Sequence, residues 1–214
     1  DVGFTVSELL ASSFTLLELR IGGFTAAEMK ESGRKAAELG AVGYTAGQLK
    51  RGGYTAAQLK AAHFSVVDLK SGGFVAKQLK AVGFTAEQLK DSGFSATELR
   101  LGTFAAKDLK PLDYSVSELR EAEFSASDLR AVGYTLLELQ GGQYSAADLR
   151  GAAYTATEMR AVERFTPADL KHAGYSAGEM RVAGFSATQM RDAAFSAKKL
   201  KAAGYSAPEL LEAQ

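Results

Sequence analysis

Lysine or arginine returns at ten-residue intervals, at Arg20, Lys30, Lys50, Lys60, Lys70, Lys80, Lys90, Arg100, Lys110, Arg120, Arg130, Arg150 and Arg160. A cation at one fixed place in a regular array makes a basic stripe, and such a stripe can follow a phosphate backbone by releasing its counterions. An acid or Gln recurs two residues before each base. Acid–base catalysis, however, needs carboxylates in unlike environments, and a repeat gives every carboxylate the same one. His63 and His172 are far apart and there is no cysteine, so no metal-ligand cluster can be assembled from them. Gly22-Gly23 and Gly52-Gly53 are in phase with the repeat and lack the lysine of a phosphate loop. These features argue against an enzyme and point to no cofactor, metal or catalytic residue.

The elements that carry the cations follow from the repeat itself. Counting an aromatic as position one, the chain is a decapeptide tandem-repeat array: aromatic, Ser/Thr, apolar, variable, Glu/Asp/Gln, Leu/Met, Lys/Arg, variable, small, Gly. The 12 Phe and 8 Tyr all occupy position one, and Arg34 is the exception there. Ser or Thr at position two with Glu at position five is a capping box, as in Thr25 with Glu28, Ser95 with Glu98 and Ser115 with Glu118. The aromatic and the Leu/Met then form the hydrophobic staple across the helix start. Gly at position ten falls where a left-handed residue ends a helix. Acid early and base late complement the helix dipole, which offers a structural reason for the basic stripe. Pro167 and Pro208 fall in first turns, whereas Pro111 falls near a helix end and fits poorly.

The fold expected is all-α: a solenoid of about 21 short capped helices, one per repeat. Each helix is too short to persist alone, so stability must come from stacking. Links of two or three residues suit corners of roughly 90–120°, so about three to four helices would complete a superhelical turn. Residues 1–163 hold sixteen in-phase repeats, and residues 164–214 hold five more after the inserted Arg164, in one continuous solenoid. Arg164 marks the expected bulge or change of superhelical direction. Arg34-Lys35 replaces an aromatic and its cap, so that corner is expected to be weak.

Segments such as Ser127–Arg130 and Ala147–Arg150, read as Ser-Asp-Leu-Arg and Ala-Asp-Leu-Arg, resemble the pentapeptide-repeat family. The resemblance covers nearly the whole chain and implies the alternative fold, a right-handed β-helix. Two observations favour helices. Position three is apolar, whereas position eight, its five-residue equivalent, holds Glu31, Arg51, Asp91 and Glu121. That fold would also bury Lys77, Glu87, Lys107 and Lys198, at several kcal/mol for each unpaired charge. Members of that family that mimic DNA are acidic, and a net charge of +0 departs from them.

The function expected is a non-enzymatic scaffold with an extended protein-interaction surface, or a structural spacer. Its candidate contact residues are at the variable positions: Lys77, Glu87, Lys107, Arg51, Asp91 and Asp192. Leu10 and Leu211, apolar at position seven in the first and last repeats, are candidates for end-to-end self-association. The alternative is nucleic-acid binding by the basic stripe, and Leu-Lys-x-x-Gly-Phe-Ser also resembles the turn of helix-turn-helix proteins. Equal numbers of acids and bases, 25 each, give no general attraction to nucleic acid or anionic lipid. No signal or membrane-spanning segment is evident, so a soluble chain without a membrane partner is expected. The start at Asp1, already in phase, suggests a segment excised from something longer.

Overall fold

Residues 3–213 are described by the computed structural model. Each decapeptide forms one helix, which starts at position three because positions two and five cap it. Thr25 Oγ1 accepts from the Glu28 N–H at 3.3 Å, and the Glu28 carboxylate accepts from the Thr25 N–H at 2.7 Å. Half of this box survives where the hydroxyl is missing: the N–H groups of Lys35, Val75 and Ala105 donate to Glu38, Gln78 and Asp108 at 2.6, 3.1 and 2.9 Å. The helix from Ala197 keeps the other half, since Ser196 Oγ accepts from Lys199 N–H while the Lys199 side chain has no acceptor to return.

The helices end in Schellman geometry. Phe24 N–H donates to the Leu19 carbonyl at 3.0 Å and Gly23 N–H to that of Arg20 at 3.1 Å, with Gly23 at φ +93°. The aromatic therefore closes one helix and opens the next. Nine of the described residues other than glycine hold the same left-handed place, among them His63, Ala153 and Ala194.

Two compact units result, residues 1–112 and 113–214. The first holds α1 (Val6–Ala11), α2 (Leu16–Ile21), α3 (Ala26–Glu31), α4 (Ala36–Ala41), α5 (Ala46–Arg51), α6 (Ala56–Ala61), α7 (Val66–Ser71), α8 (Ala76–Ala81), α9 (Ala86–Asp91), α10 (Ala96–Leu101) and α11 (Ala106–Leu109). The helix α11 is cut short and continues as a 3-10 turn at Lys110–Leu112. Pro111 accounts for this, because it has no N–H to donate back along the helix. The second unit holds α12 (Val116–Glu121), α13 (Ala126–Ala131), α14 (Leu136–Gly141), α15 (Ala146–Gly151), α16 (Ala156–Ala161), α17 (Pro167–His172), α18 (Ala177–Val182), α19 (Ala187–Asp192), α20 (Ala197–Ala202) and α21 (Ala207–Glu212). No strand occurs among the described residues. The β-helix alternative is thereby overturned: Lys77, Glu87, Lys107 and Lys198 are exposed on helices rather than turned inward.

Each unit is a helical solenoid in which every second helix packs. α3 lies on α5, α4 on α6 and α8 on α10 in the first unit; α13 lies on α15, α16 on α18 and α19 on α21 in the second. Odd- and even-numbered helices thus form separate rows, and a turn takes two repeats rather than the three to four expected. The left-handed residue at position ten reverses the chain more sharply than the expected corner. Small residues at position nine let stacked backbones touch: a Cβ on Gly52 would lie 2.6 Å from the Ala26 carbonyl carbon. Position six forms the centre of the core, with Leu39, Leu49, Leu59 and Met159 fully buried.

The inserted Arg164 is absorbed as a local bulge. Helices α15 and α17, and α16 and α18, pack across it. The Tyr175 hydroxyl reaches the Tyr154 carbonyl 21 residues back, where the spacing elsewhere is 20. The pairing of rows is unchanged, so the expected change of direction does not occur there.

Replacing Ala153 or Ala194 by Gly should stabilise the chain by about 1 kcal/mol each, by removing the Cβ from a left-handed residue. Gly52→Val should destabilise it by about 1–3 kcal/mol through overpacking. Denaturant midpoints will measure both, and a loss of stability on Ala→Gly would contradict the joint geometry.

Candidate functional site

Most of the position-seven cations, candidates for a phosphate-binding stripe, have intramolecular partners. Lys60 Nζ donates to the Val82 carbonyl at 2.6 Å and lies 4.4 Å from the Phe84 ring centroid. Lys80 donates to the Thr103 carbonyl at 2.7 Å and lies 4.4 Å from the Phe104 ring. In the second unit Arg130 donates to the Ala152 carbonyl at 2.5 Å and covers the Tyr154 ring at 4.0 Å. Arg160 does the same with Ala183 and Phe185. The helix carries each cation to the carbonyls left open at the end of the next helix of its row. The aromatic that follows supplies a cation–π face. The cations lie in the last turns of their helices, as the dipole explanation expects, but the expected pairing with the neighbouring acid is corrected: acid partners such as Glu98 for Lys70 at 3.3 Å and Glu158 for Arg130 at 3.7 Å lie three repeats ahead.

This 24-residue pairing explains irregularities that the ten-residue pattern leaves isolated. Gly40 replaces the cation opposite Phe64, and the ring fills the space, its Cζ 2.9 Å from where a Gly40 Cβ would stand. Leu10 falls in register with Arg34, so the apolar residue and the cation have exchanged places. Gln140 replaces the cation in register with Phe165, one residue later because of the insertion. There Arg164 Nη1 donates to the Gln140 carbonyl, and its guanidinium lies 6.0 Å from the Phe165 ring. The insertion supplies the cation that the repeat lacks.

Tyrosine adds a second tie that sequence reasoning missed by treating Phe and Tyr alike. The hydroxyls of Tyr44 and Tyr54 donate to the Phe24 and Arg34 carbonyls at 2.6 Å. Tyr144 donates to Phe124 and Tyr205 to Phe185, both at 2.5 Å. Burial first, then the nearby Asp148, pushes the Tyr144 hydroxyl up to about 12.

The candidate contact residues Arg51, Lys77, Glu87, Asp91 and Lys107 are exposed and make no hydrogen bond or ion pair among the described residues. Asp192 is exposed but bound to Arg191 at 2.6 Å. The structure brings four of the six together: Arg51, Glu87, Asp91 and Lys107 lie on the odd row of the first unit, with Glu31. Lys77 lies on the even row, and Asp192 belongs to the second unit. Positions four and eight of the even row, from Leu17 and Ile21 to Thr97 and Leu101, are exposed and hold a single charge, Lys77. The first unit therefore has one charged row and one nearly uncharged row. A twenty-residue comparison of alternate repeats would have shown this. Leu10 is half-buried, whereas Leu211 is 62% exposed.

The position-five carboxylates serve the caps. Hydrogen bonds from the Thr25 side chain and backbone hold Glu28 below the usual carboxylate range, and Ser176 does the same for Glu179. His63 and His172 are exposed. No group of three His, Cys, Asp or Glu suited to a metal occurs among the described residues. No helix among them is long and apolar enough to cross a membrane. The surface recesses recur with the repeat: Arg20, Phe24, Tyr44 and Gln48 line one, and Arg150, Tyr154, Tyr175 and Glu179 another.

A carboxylate held low stabilises the fold above its unfolded pKa and loses that effect as pH falls through its folded value. The melting temperature should therefore be flat from neutrality to about pH 5 and fall below it. Glu28→Gln and Glu179→Gln together should shallow that fall; an unchanged slope would remove the capping carboxylates as its cause. Arg164→Gln should destabilise by about 1 kcal/mol, and adding Gln140→Arg should restore most of the loss. Simple additivity in that cycle would mean that the insertion does not replace the missing cation.

A family model described as "Decapeptide repeat region" matches residues 1–52, 43–116, 113–164 and 164–214. No curated protein and no solved structure matches the chain. The matches span its whole length, and their period is that of the helices, so the chain belongs to the decapeptide repeat family.

Proposed function

We propose that this repeat scaffold is non-enzymatic and presents an extended protein-interaction surface, with the odd row of the first unit as the contact face. One observation carries the reading. Glu31, Arg51, Glu87, Asp91 and Lys107 project from a single row and make no hydrogen bond or ion pair among the described residues, while that unit's recurring charges at positions five and seven are taken up by caps, rings and carbonyls. A row of mixed charge recognises a partner by complementary pairing and suppresses others by repulsion. The partner implied is a protein with an alternating charge pattern. Nucleic-acid binding is less favoured, because position-seven cations such as Lys60 and Arg130 would have to leave a ring and a carbonyl to reach a phosphate. No cofactor, metal or membrane enters this reading.

The test combines Arg51→Glu, Glu87→Lys, Asp91→Lys and Lys107→Glu in one variant. Its melting temperature should stay within a few degrees of the parent, as expected for surface substitutions. The proteins cross-linked to the parent should be lost or exchanged. An unchanged cross-linking profile would remove the odd row as the contact face. Tight, steeply salt-dependent binding of labelled duplex DNA or RNA by the parent would favour the nucleic-acid reading instead.

A further inference from the structure

The charges of the odd row follow an order that the row itself can answer. At positions four and eight, α3 carries an acid (Glu31), α5 a base (Arg51), α7 no charge (Val67 and Ser71), α9 two acids (Glu87 and Asp91) and α11 a base (Lys107). Reversing the row about α7 sets opposite charges against each other at every step. Glu31 then stands opposite Lys107, and Arg51 opposite Glu87 and Asp91. In the unreversed order like would meet like. The central helix also carries the one exposed large apolar side chain of these five helices, Val67, at 56%. The charges beside this face are already engaged, as in Lys50 with the Phe74 ring and Lys70 with the Gly93 carbonyl. The even row, whose single charge is Lys77, has no such order.

We infer that the odd row of the first unit docks on the same row of a second copy, about a two-fold axis parallel to α7. Such a contact is isologous, each copy offering the same patch. The axis reverses the order of the helices and keeps their direction. Val67 meets its own copy at the centre, while the Arg51 contact with Glu87 and Asp91 and the Glu31 contact with Lys107 each occur twice. Glu31 is at position eight and Lys107 at position four, an offset of about 6 Å along the helix that these long side chains span. An apolar centre within a charged rim is the usual anatomy of an interface. Five helices about 8–10 Å apart, each about 9 Å long, offer an area comparable to the roughly 800 Å² per partner of a standard complex. The inference rests on the odd-row reading above and names the partner of that face as the chain itself.

The experiment is sedimentation velocity on the 214-residue chain over a wide concentration range. The parent should form dimers and nothing larger, because a two-fold contact closes at two copies. Arg51→Glu should weaken dimerisation at least about a hundredfold, since the axis places the like-charge contact twice. Glu87→Lys combined with Asp91→Lys should do the same. An equimolar mixture of these two variants should recover the dimer. In the mixed pair one contact sets the introduced glutamate against the introduced lysines, and the other is the parent's own. Melting curves at low concentration, compared with the parent, confirm that each variant folds. A parent that stays monomeric, or that grows into an open polymer, overturns the inference. Neither result touches the odd row as a contact face for a different protein, which the cross-linking comparison decides separately. A dimer that neither variant weakens places the contact on another surface and also overturns the inference. Failure of the mixture to recover removes the two-fold register.

Discussion

A six-residue helix has almost nothing but ends. Its first four N–H groups and last four carbonyls lack intrahelical partners, so in a helix this short nearly every backbone polar group needs help from outside. The decapeptide answers this constraint with each of its recurring positions. Positions two and five serve the N–H groups, and the left-handed residue with the next aromatic serves the carbonyls through the Schellman bonds. The Lys or Arg of the helix below reaches a remaining carbonyl, as Lys60 does at Val82. A tyrosine at position one ties another, as Tyr44 does at Phe24. The local caps determine where each helix starts and stops. The two long-range ties determine which helix lies on which.

That division explains what could be read from the sequence. The caps, the staple and the helix limits are local, so three or four residues in one repeat, such as Thr25, Glu28 and Gly23, reveal them. Their periodicity also excludes the β-helix, since Lys77 and Glu87 cannot be inward. The stacking period was not legible, because a ten-residue pattern is the same whether a turn takes two helices or four. The signal that held it was in the exceptions. Gln140 with Arg164 and Leu10 with Arg34 break the pattern in pairs 24 residues apart, and that spacing is the register of the stack. The separation of charged and uncharged rows was hidden for the same reason: Arg51 and Asp91 look equivalent to Ala41 and Ala81 until alternate repeats are compared.

The same physics bears on function. A residue type that recurs in nearly every repeat is consumed by the architecture, which is why most of the basic stripe, the Ser/Thr row and the carboxylate row find partners within the chain. The positions the architecture does not need are four and eight, and the proposed contact face is drawn from them. Small residues at position nine hold successive helices of a row in backbone contact, so these variable side chains stand at regular intervals on a surface with little freedom to rearrange. Such a surface suits pre-organised binding, where little ordering entropy is lost on contact.

The most direct test of the account is the thermal and denaturant stability of a variant in which Lys50, Lys60, Lys70 and Lys80 are all replaced by methionine, followed by circular dichroism at low and high salt. Methionine keeps the apolar stem but removes the charge that joins ring and carbonyl. The account predicts a chain that remains helical in dilute buffer but melts well below the parent at either salt concentration, because the lost contacts are half-buried and poorly screened. A variant that melts with the parent would show that the cations are surface decoration, and the stacking would then need another cause.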